Sequence, residues 1–478
     1  MRRCESITAV ALVIGALAVA SVRAGPPEPP GADATTPPAT PAASKKSRAP
    51  ASGPKRRSQA TPGTQSNPTA QTTPPPLPRP PAGQPPSTLW RWINPATAPI
   101  IPIPEIDQDP YSGTTIGIIP TYLVTGSDHQ ISQIIAPDVI YNQYFGWGAR
   151  GRIFAYPSPN TQWSIEGGAK QRVESEFDGE YASGILRQNR WSFNLSLIYD
   201  RSGSPRYYGI GNYTPLSGGT NYTDQQKYVQ TTLGYNFNHM WQLAYLFRAR
   251  TVDISPGKIP GVPSIEVLYP TTVIRAEKQE ILNRVLLTYD TRNDVVVPTR
   301  GSEWVAYGGA ASSEGMFNSS LYSEAGIDGR DYWGLPADAV LAFHMALRYM
   351  PGTARTHEIP FWALSAIGGD EAIIGGDQPL RGFGEGRFRD RNSSSFSLEY
   401  RKRVASFDAF STRIALEITP FVDMGRVFGS FGTDPIAGLH KVAGLGVRGI
   451  ALPFVVGYVD VGYGSEGAAV FTGLNYPF

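Results

Sequence analysis

Along most of the chain apolar and polar residues alternate with a period of two, as in a strand with one dry and one wet face. From Ile414 the even positions read Ile414, Leu416, Ile418, Pro420, Val422 and Met424; the odd ones read Ala415, Glu417, Thr419, Phe421, Asp423 and Gly425. Trp191, Phe193, Leu195, Leu197 and Tyr199 form a second apolar face, with Ser192, Asn194, Ser196, Ile198 and Asp200 between them. The last segment sets Val470, Thr472, Leu474, Tyr476 and Phe478 on one side. The pattern predicts sixteen strands, at roughly 112–124, 131–142, 146–157, 161–186, 190–200, 226–238, 240–251, 281–291, 300–313, 318–331, 338–350, 393–403, 411–427, 438–449, 453–463 and 468–478. The stretch 161–186 is long enough to be split in two. The long connections 201–225, 252–280 and 351–392 all follow odd-numbered strands. Asn238-His239 and Gly334-Leu335-Pro336 follow even ones, so one end carries the long loops and the other the short turns.

After residue 24 no apolar run approaches the ~18 residues of a membrane-spanning helix. A chain without such a helix crosses a bilayer only as a closed barrel, because backbone groups in lipid need partners within the sheet. The expected fold is therefore all-β: a 16-stranded antiparallel transmembrane β-barrel over residues 112–478. The alternative is a soluble sandwich, which would bury its apolar face against a second sheet. Composition favours many strands and turns: charged residues are 17%, aromatic residues 11%, and there are 51 glycines.

The N-terminal part differs. Arg2 and Arg3 precede a mostly apolar run from Ile7 to Ala20, and Val22-Arg23-Ala24 ends on a small residue, so residues 1–24 are expected to be a cleaved secretory signal. The single cysteine, Cys4, lies within it, which leaves no thiol for a disulfide or a Cys-ligated metal. Residues 25–88 hold 19 of the 43 prolines and no large apolar residue before Leu77. Such a stretch cannot bury enough surface to offset its ordering entropy and is expected to be a disordered, partly polyproline arm. Lys45, Lys46, Arg48, Lys55, Arg56, Arg57 and Arg79 oppose Glu28 and Asp33, a net charge of +5 that leaves −5 on residues 89–478. A solvated tether is the simpler expectation; contact with anionic cell wall is the sharper one. Residues 89–111 read as an apolar, Pro-broken lead-in to the barrel.

Several segments together resemble the BamA/TamA superfamily, the bacterial surface antigen barrels. They are Gly375-Gly376-Asp377-Gln378-Pro379-Leu380-Arg381-Gly382-Phe383, Asp290-Thr291-Arg292-Asn293 with Pro298-Thr299-Arg300-Gly301, Phe421-Val422-Asp423-Met424-Gly425, and Tyr208-Gly209-Ile210-Gly211-Asn212. The resemblance spans 112–478. It implies that the loop bearing Leu380, Arg381, Gly382 and Phe383 follows strand 11 of sixteen, folds into the lumen, and pairs Arg381 with Glu399 and Asp423. Alternation agrees: with Leu398, Tyr400, Val422 and Met424 outward, Glu399 and Asp423 point inward. Gly382 is expected to let the loop turn sharply. The terminal Tyr476 and Phe478 resemble the C-terminal signal that outer-membrane proteins present to the β-barrel assembly machinery. Members that act as assembly factors carry POTRA domains; with 64 Pro-rich residues and a 23-residue lead-in before the barrel, this chain is expected to resemble a short branch without them.

The expected location is the cell outer membrane, with its lipids and the assembly machinery as partners. The expected role is outer-membrane biogenesis or maintenance, through a plugged lumen and a weak seam between first and last strands; a passive pore or surface-binding barrel is the other possibility. No G-x-S-x-G, H-E-x-x-H or P-loop occurs. His344 lies between outward Phe343 and Met345, so it faces the lumen, with no nucleophile assigned to it. No enzyme activity, cofactor, metal or nucleic-acid partner is expected.

Overall fold

The computed structural model describes residues 100–109, 111, 113–125, 131–274, 279–314, 319–351, 359–409, 412–430, 432–451, 455–474 and 476–478. The expected signal (1–24), the arm (25–88) and residues 89–99 of the lead-in lie outside them.

The strands of the first half are β1 (Ile100–Asp109), β2 (Gly113–Thr125), β3 (Ile131–Ile135), β4 (Asp138–Asn142), β5 (Gly146–Ser158), β6 (Thr161–Lys170), β7 (Ser175–Ser183), β8 (Trp191–Ser202), β9 (Arg206–Tyr207), β10 (Thr220–Asn236) and β11 (Trp241–Pro256). Those of the second half are β12 (Gln279–Asp290), β13 (Gly301–Glu314), β14 (Ser319–Leu335), β15 (Ala339–Tyr349), β16 (Ser365–Ile367), β17 (Phe388–Asp390), β18 (Asn392–Ala409), β19 (Thr412–Phe428), β20 (His440–Ala451), β21 (Val455–Gly464) and β22 (Gly467–Leu474). Successive strands pair antiparallel from β1 to β22, with β10 continuing from β8 and β18 from β15, and β22 comes to lie beside β1. The short pair β16–β17 stands apart as its own hairpin-like sheet. β3 and β4 are two halves of one stave, broken at Ala136-Pro137 and both paired with β2 and β5.

Counted as staves, the described barrel has eighteen strands, not sixteen. Two expectations are corrected. First, 161–186 is a hairpin, β6 and β7, turned through Gln171–Glu174 with Val173 at φ 62°. A β-branched residue rarely adopts that region, and no Gly, Pro or Asn announces the turn. Second, residues 100–109 of the lead-in are the first strand, paired with β2. Pro102 and Pro104 argue against a central strand, but β1 is a boundary strand, where a missing donor is tolerated. The two additions cancel in parity, so the long connections still follow odd staves and leave from one end. The Arg381 loop follows the thirteenth stave, β15, rather than the eleventh.

The outward faces are apolar and uncovered. Ile116, Trp147, Trp191, Leu233, Val285 and Leu445 are each about half exposed, as a lipid-facing band requires. Rings gather near the short-turn end. Trp191 and Tyr235 lie 5.1 Å apart, Tyr235 and Phe237 5.3 Å, and Trp241 and Tyr289 4.8 Å. At the long-loop end Tyr141 and Trp147 pair at 5.3 Å. Amphipathic rings at both rims mark the two interfaces of a bilayer.

Residues 359–391 pack against the inward face of the wall. Ile359, Phe361, Trp362, Ala363 and Leu364 pack with Tyr207, Tyr222, Val252, Leu282 and Tyr322 of the β9–β14 wall. Ile367, Leu380, Phe383 and Phe388 pack with Phe421, Val427 and Val442 of β19 and β20.

Candidate functional site

The interior charges meet at Arg381. β18, β19 and β21 each bring a carboxylate to it, Glu399, Asp423 and Asp460. The period-two geometry places them there because Leu398, Val422 and Val461 on either side are exposed outward. The Arg381 guanidinium grips Asp423 with two parallel bonds, Nε to Oδ2 at 2.9 Å and Nη2 to Oδ1 at 2.8 Å, and its backbone N–H donates to the same carboxylate at 3.0 Å. Its Nη1 donates to Glu399 at 2.6 Å and to Asp460 at 2.7 Å. Its plane lies on Phe421, 3.6 Å from the ring centroid. Arg448 of β20 adds a second bidentate pair to Glu399 at 2.7 and 2.9 Å, and Arg401 donates to Glu399 at 2.8 Å.

Three guanidiniums therefore face three carboxylates, and all six are essentially buried. Burial without partners would be prohibitive for any of them; burial with each charge paired to an opposite one is not. Three carboxylates around the Arg381 guanidinium hold it protonated well above its usual range. Glu399 and Asp423 were legible in the sequence. Asp460, Arg448 and Arg401 were missed, although a lone carboxylate in Val459-Asp460-Val461 and a lone arginine in Val447-Arg448-Gly449 carried the same alternation signal.

Gly382 needs a corrected explanation. It does not adopt a positive φ, so no sharp left-handed turn is involved. A Cβ there would sit 2.6 Å from the backbone nitrogen of Gly464 and 2.8 Å from Val442 Cγ2. Glycine is required because the loop backbone lies directly on β21. Leu380 and Phe383, on either side, are the apolar anchors of the same contact.

Other resemblance segments fasten the plug. Gly209 and Gly211 have φ of 91° and 124°, which shapes the 208–212 turn for glycine. Gly211 N–H donates to Arg389 at 2.8 Å, and Asn212 bridges Val427 and Gly438 at 3.0 Å each. Arg387 grips Glu466 at 2.9 Å and Thr214 at 2.8 Å, tying the plug to the last hairpin. At the short-turn end Arg292 clamps Asp290 at 2.8 Å and Glu303 at 2.7 Å. One plug acid is different: Asp370, half-buried and near Asp460, is pushed up to about 7 by desolvation, while the Tyr458 hydroxyl donates to it at 2.5 Å.

The C-terminal residues lie elsewhere than expected. β22 stops at Leu474, so the terminal alternating strand does not run to Phe478. Tyr476 and Phe478 turn into the lumen instead. Phe478 stacks on His344 at 5.1 Å and packs with Tyr332, Val340 and Ala342. Arg401 lies 3.8 Å over the Tyr476 ring, whose hydroxyl donates to Glu417 at 3.3 Å. Pro477 has no N–H to continue a ladder, and the cation and imidazole inside offer the rings better partners than an edge does.

The Omp85 superfamily domain matches residues 159–454, well over half the chain. Among solved structures the chain is similar to BamA from Haemophilus ducreyi lacking POTRA domains 1–3, at 14% identity over 75% of this chain and 74% of that one, with a TM-score of 0.45. It is also similar to CdiB from Escherichia coli (9% identity, 79% and 62% covered, TM-score 0.40) and CdiB from Acinetobacter baumannii (12%, 78% and 58%, 0.36). It thus spans less than two thirds of either CdiB chain. No curated protein matches. The chain belongs to the Omp85 superfamily, and that membership points to a bacterial outer membrane as its place.

Proposed function

We propose that this protein is exported by residues 1–24 and serves outer-membrane biogenesis or maintenance, working through a plugged barrel and a weak seam rather than as an open pore. The observation that carries the reading is the Arg381 network. Six buried charges from the plug and four strands are matched one to one, which is costly to assemble and suited to a plug that stays in place. The seam supports it. Pro102 and Pro104 lie on one edge of β1, and Pro102 faces Pro120 across the β1–β2 ladder. Neither proline can donate, so their nitrogens belong on the sides away from that ladder. The β1 edge turned toward β22 therefore lacks two donors. In this reading Tyr476 and Phe478 serve as an assembly signal before they dock inside.

A disulfide tether between β1 and β22, in a mature chain with no other cysteine, tests the reading. The oxidised tether should fail to restore outer-membrane protein and lipid profiles in a deletion strain, and reduction should restore them. Full rescue by the tethered form would reject it.

One observation favours the alternative of a surface-binding barrel. A cavity of about 410 Å³ at the long-loop end is lined by Tyr111, Arg206, Tyr208, Gly384 and Glu466. A tethered chain that still rescues, with loss of rescue on filling this cavity by Leu216→Trp at its exposed rim, would select that alternative.

A further inference from the structure

The cavity at the long-loop end takes its walls from separate parts of the chain. Tyr111 comes from the connection between β1 and β2, Arg206 and Tyr208 from β9 and the residue after it, Gly384 from the plug, and Glu466 from the β21–β22 hairpin. The first and last hairpins meet here because β22 lies beside β1. A volume of about 410 Å³ falls within the range of small-molecule sites, roughly 300–1,000 Å³.

Its aromatic walls are fixed before anything binds. The centroids of Tyr111 and Tyr208 lie 6.3 Å apart with their planes at 38°, so the rings are not stacked on each other. Backbone lies directly against each. A Cβ on Gly384 would collide with the Tyr111 ring, and one on Gly219 would sit 2.7 Å from Tyr208 Cε1. The Arg387 guanidinium lies 4.0 Å from the Tyr208 centroid and is itself held by Glu466 and Thr214. Walls held in this way lose little freedom when a ligand settles on them.

The rest of the lining carries charges of both signs, in Arg206 and in Glu466, whose side chain is 19% exposed. A bare anion would meet Glu466, and a bare cation would meet Arg206. An acyl chain would strip water from both without replacing their hydrogen bonds. A saccharide suits all of these surfaces. Its hydroxyls donate and accept, and its C–H face can lie on the electron-rich face of a tyrosine ring. We propose that this cavity binds a saccharide, either free or as the headgroup of a glycolipid beside the barrel. The proposal names a ligand for the surface-binding reading above, and rests on that reading in taking the cavity as a ligand site.

Titration calorimetry of the full-length protein with maltose, lactose and chitobiose, in a detergent without a sugar headgroup, tests the class. At least one should bind. Leu216→Trp, at the exposed rim, and Arg206→Gln should each weaken that binding tenfold or more. Ile436→Trp, exposed at the same end but off the cavity, should leave it unchanged. A rim thiol separates the two sources. In phosphatidylcholine vesicles, Leu216→Cys with Cys4→Ser should react with a neutral maleimide at least fivefold slower when the site is occupied. Slowing by saturating free disaccharide assigns a free saccharide; slowing only by digalactosyl diacylglycerol in the vesicle assigns a headgroup. No binding and no slowing, or binding that neither cavity variant weakens, overturns the proposal. Inorganic phosphate bound in place of every saccharide, and lost in Arg206→Gln, overturns it in favour of an anion site. Rescue lost in Leu216→Trp with no saccharide bound would overturn it while the surface-binding reading stands. Saccharide binding lost in Leu216→Trp with rescue intact would keep the site and reject that reading.

Discussion

Arg381 is the residue on which the interior turns. Three carboxylates from three strands converge on it, and removing it leaves them buried together. Arg381→Ala should cost about 3–5 kcal/mol, the range for breaking one side of a buried ion pair. It should lower the urea midpoint of the compact, heat-modifiable form. Arg381→Lys should recover only part, because an ammonium cannot grip Asp423 with two parallel bonds. Asp370 gives a pH dependence with a definite sign. Docked in the plug it ionises near 7; released, near its ordinary 3.8. Between about pH 4 and 7 the released chain sheds a proton that the docked chain keeps, so docking weakens as pH rises through that window and is level above it. The span corresponds to about 4 kcal/mol at most. Protease resistance of the plug should fall from pH 5 to pH 7.5 in the wild type and stay flat in Asp370→Asn. Two of Arg381's acids were legible from alternation with the resemblance. The reason for Gly382 was not, because close approach to Gly464 depends on how a loop lies against a strand far along the chain.

At the scale of elements, what read clearly was what repeats. β8, β19 and β21 alternate without interruption, and their inward and outward faces follow from parity. What failed was local exception. β1 hides behind Pro102 and Pro104, the β6–β7 turn uses Val173 where turn chemistry would ask for Gly or Asn, and β22 gives way at Pro477. Because one hidden strand and one hidden turn shift the count by one each, the loop parity stayed right while the total was wrong. Two substitutions test the element contacts. Gly382→Ala should cost more than 2 kcal/mol by forcing the loop off β21, whereas Gly432→Ala, with open space around its Cβ position, should be neutral; chemical unfolding of the two compares them. Phe478→Ala should uncover the floor it seals against Tyr332 and Val340, and a thiol at Ala342→Cys should then react at least tenfold faster than with Phe478 in place.

For the whole molecule the exposed apolar band, the two aromatic rims and the ion-paired interior describe a barrel with lipid around it and its own loop packed against its inner wall. Neither the band nor the filling follows from composition, since 17% charged residues would suit several fold classes; they follow from which face each charge takes. The central claim is that the lumen is filled by residues 359–391, pinned at Arg381. Single-channel recording in planar bilayers tests it most directly. The wild type should show small, flickering conductance, and deletion of residues 365–390, which takes Arg381 with it, should open a large, stable one. A large, steady conductance from the wild type, unchanged by that deletion, would contradict the account.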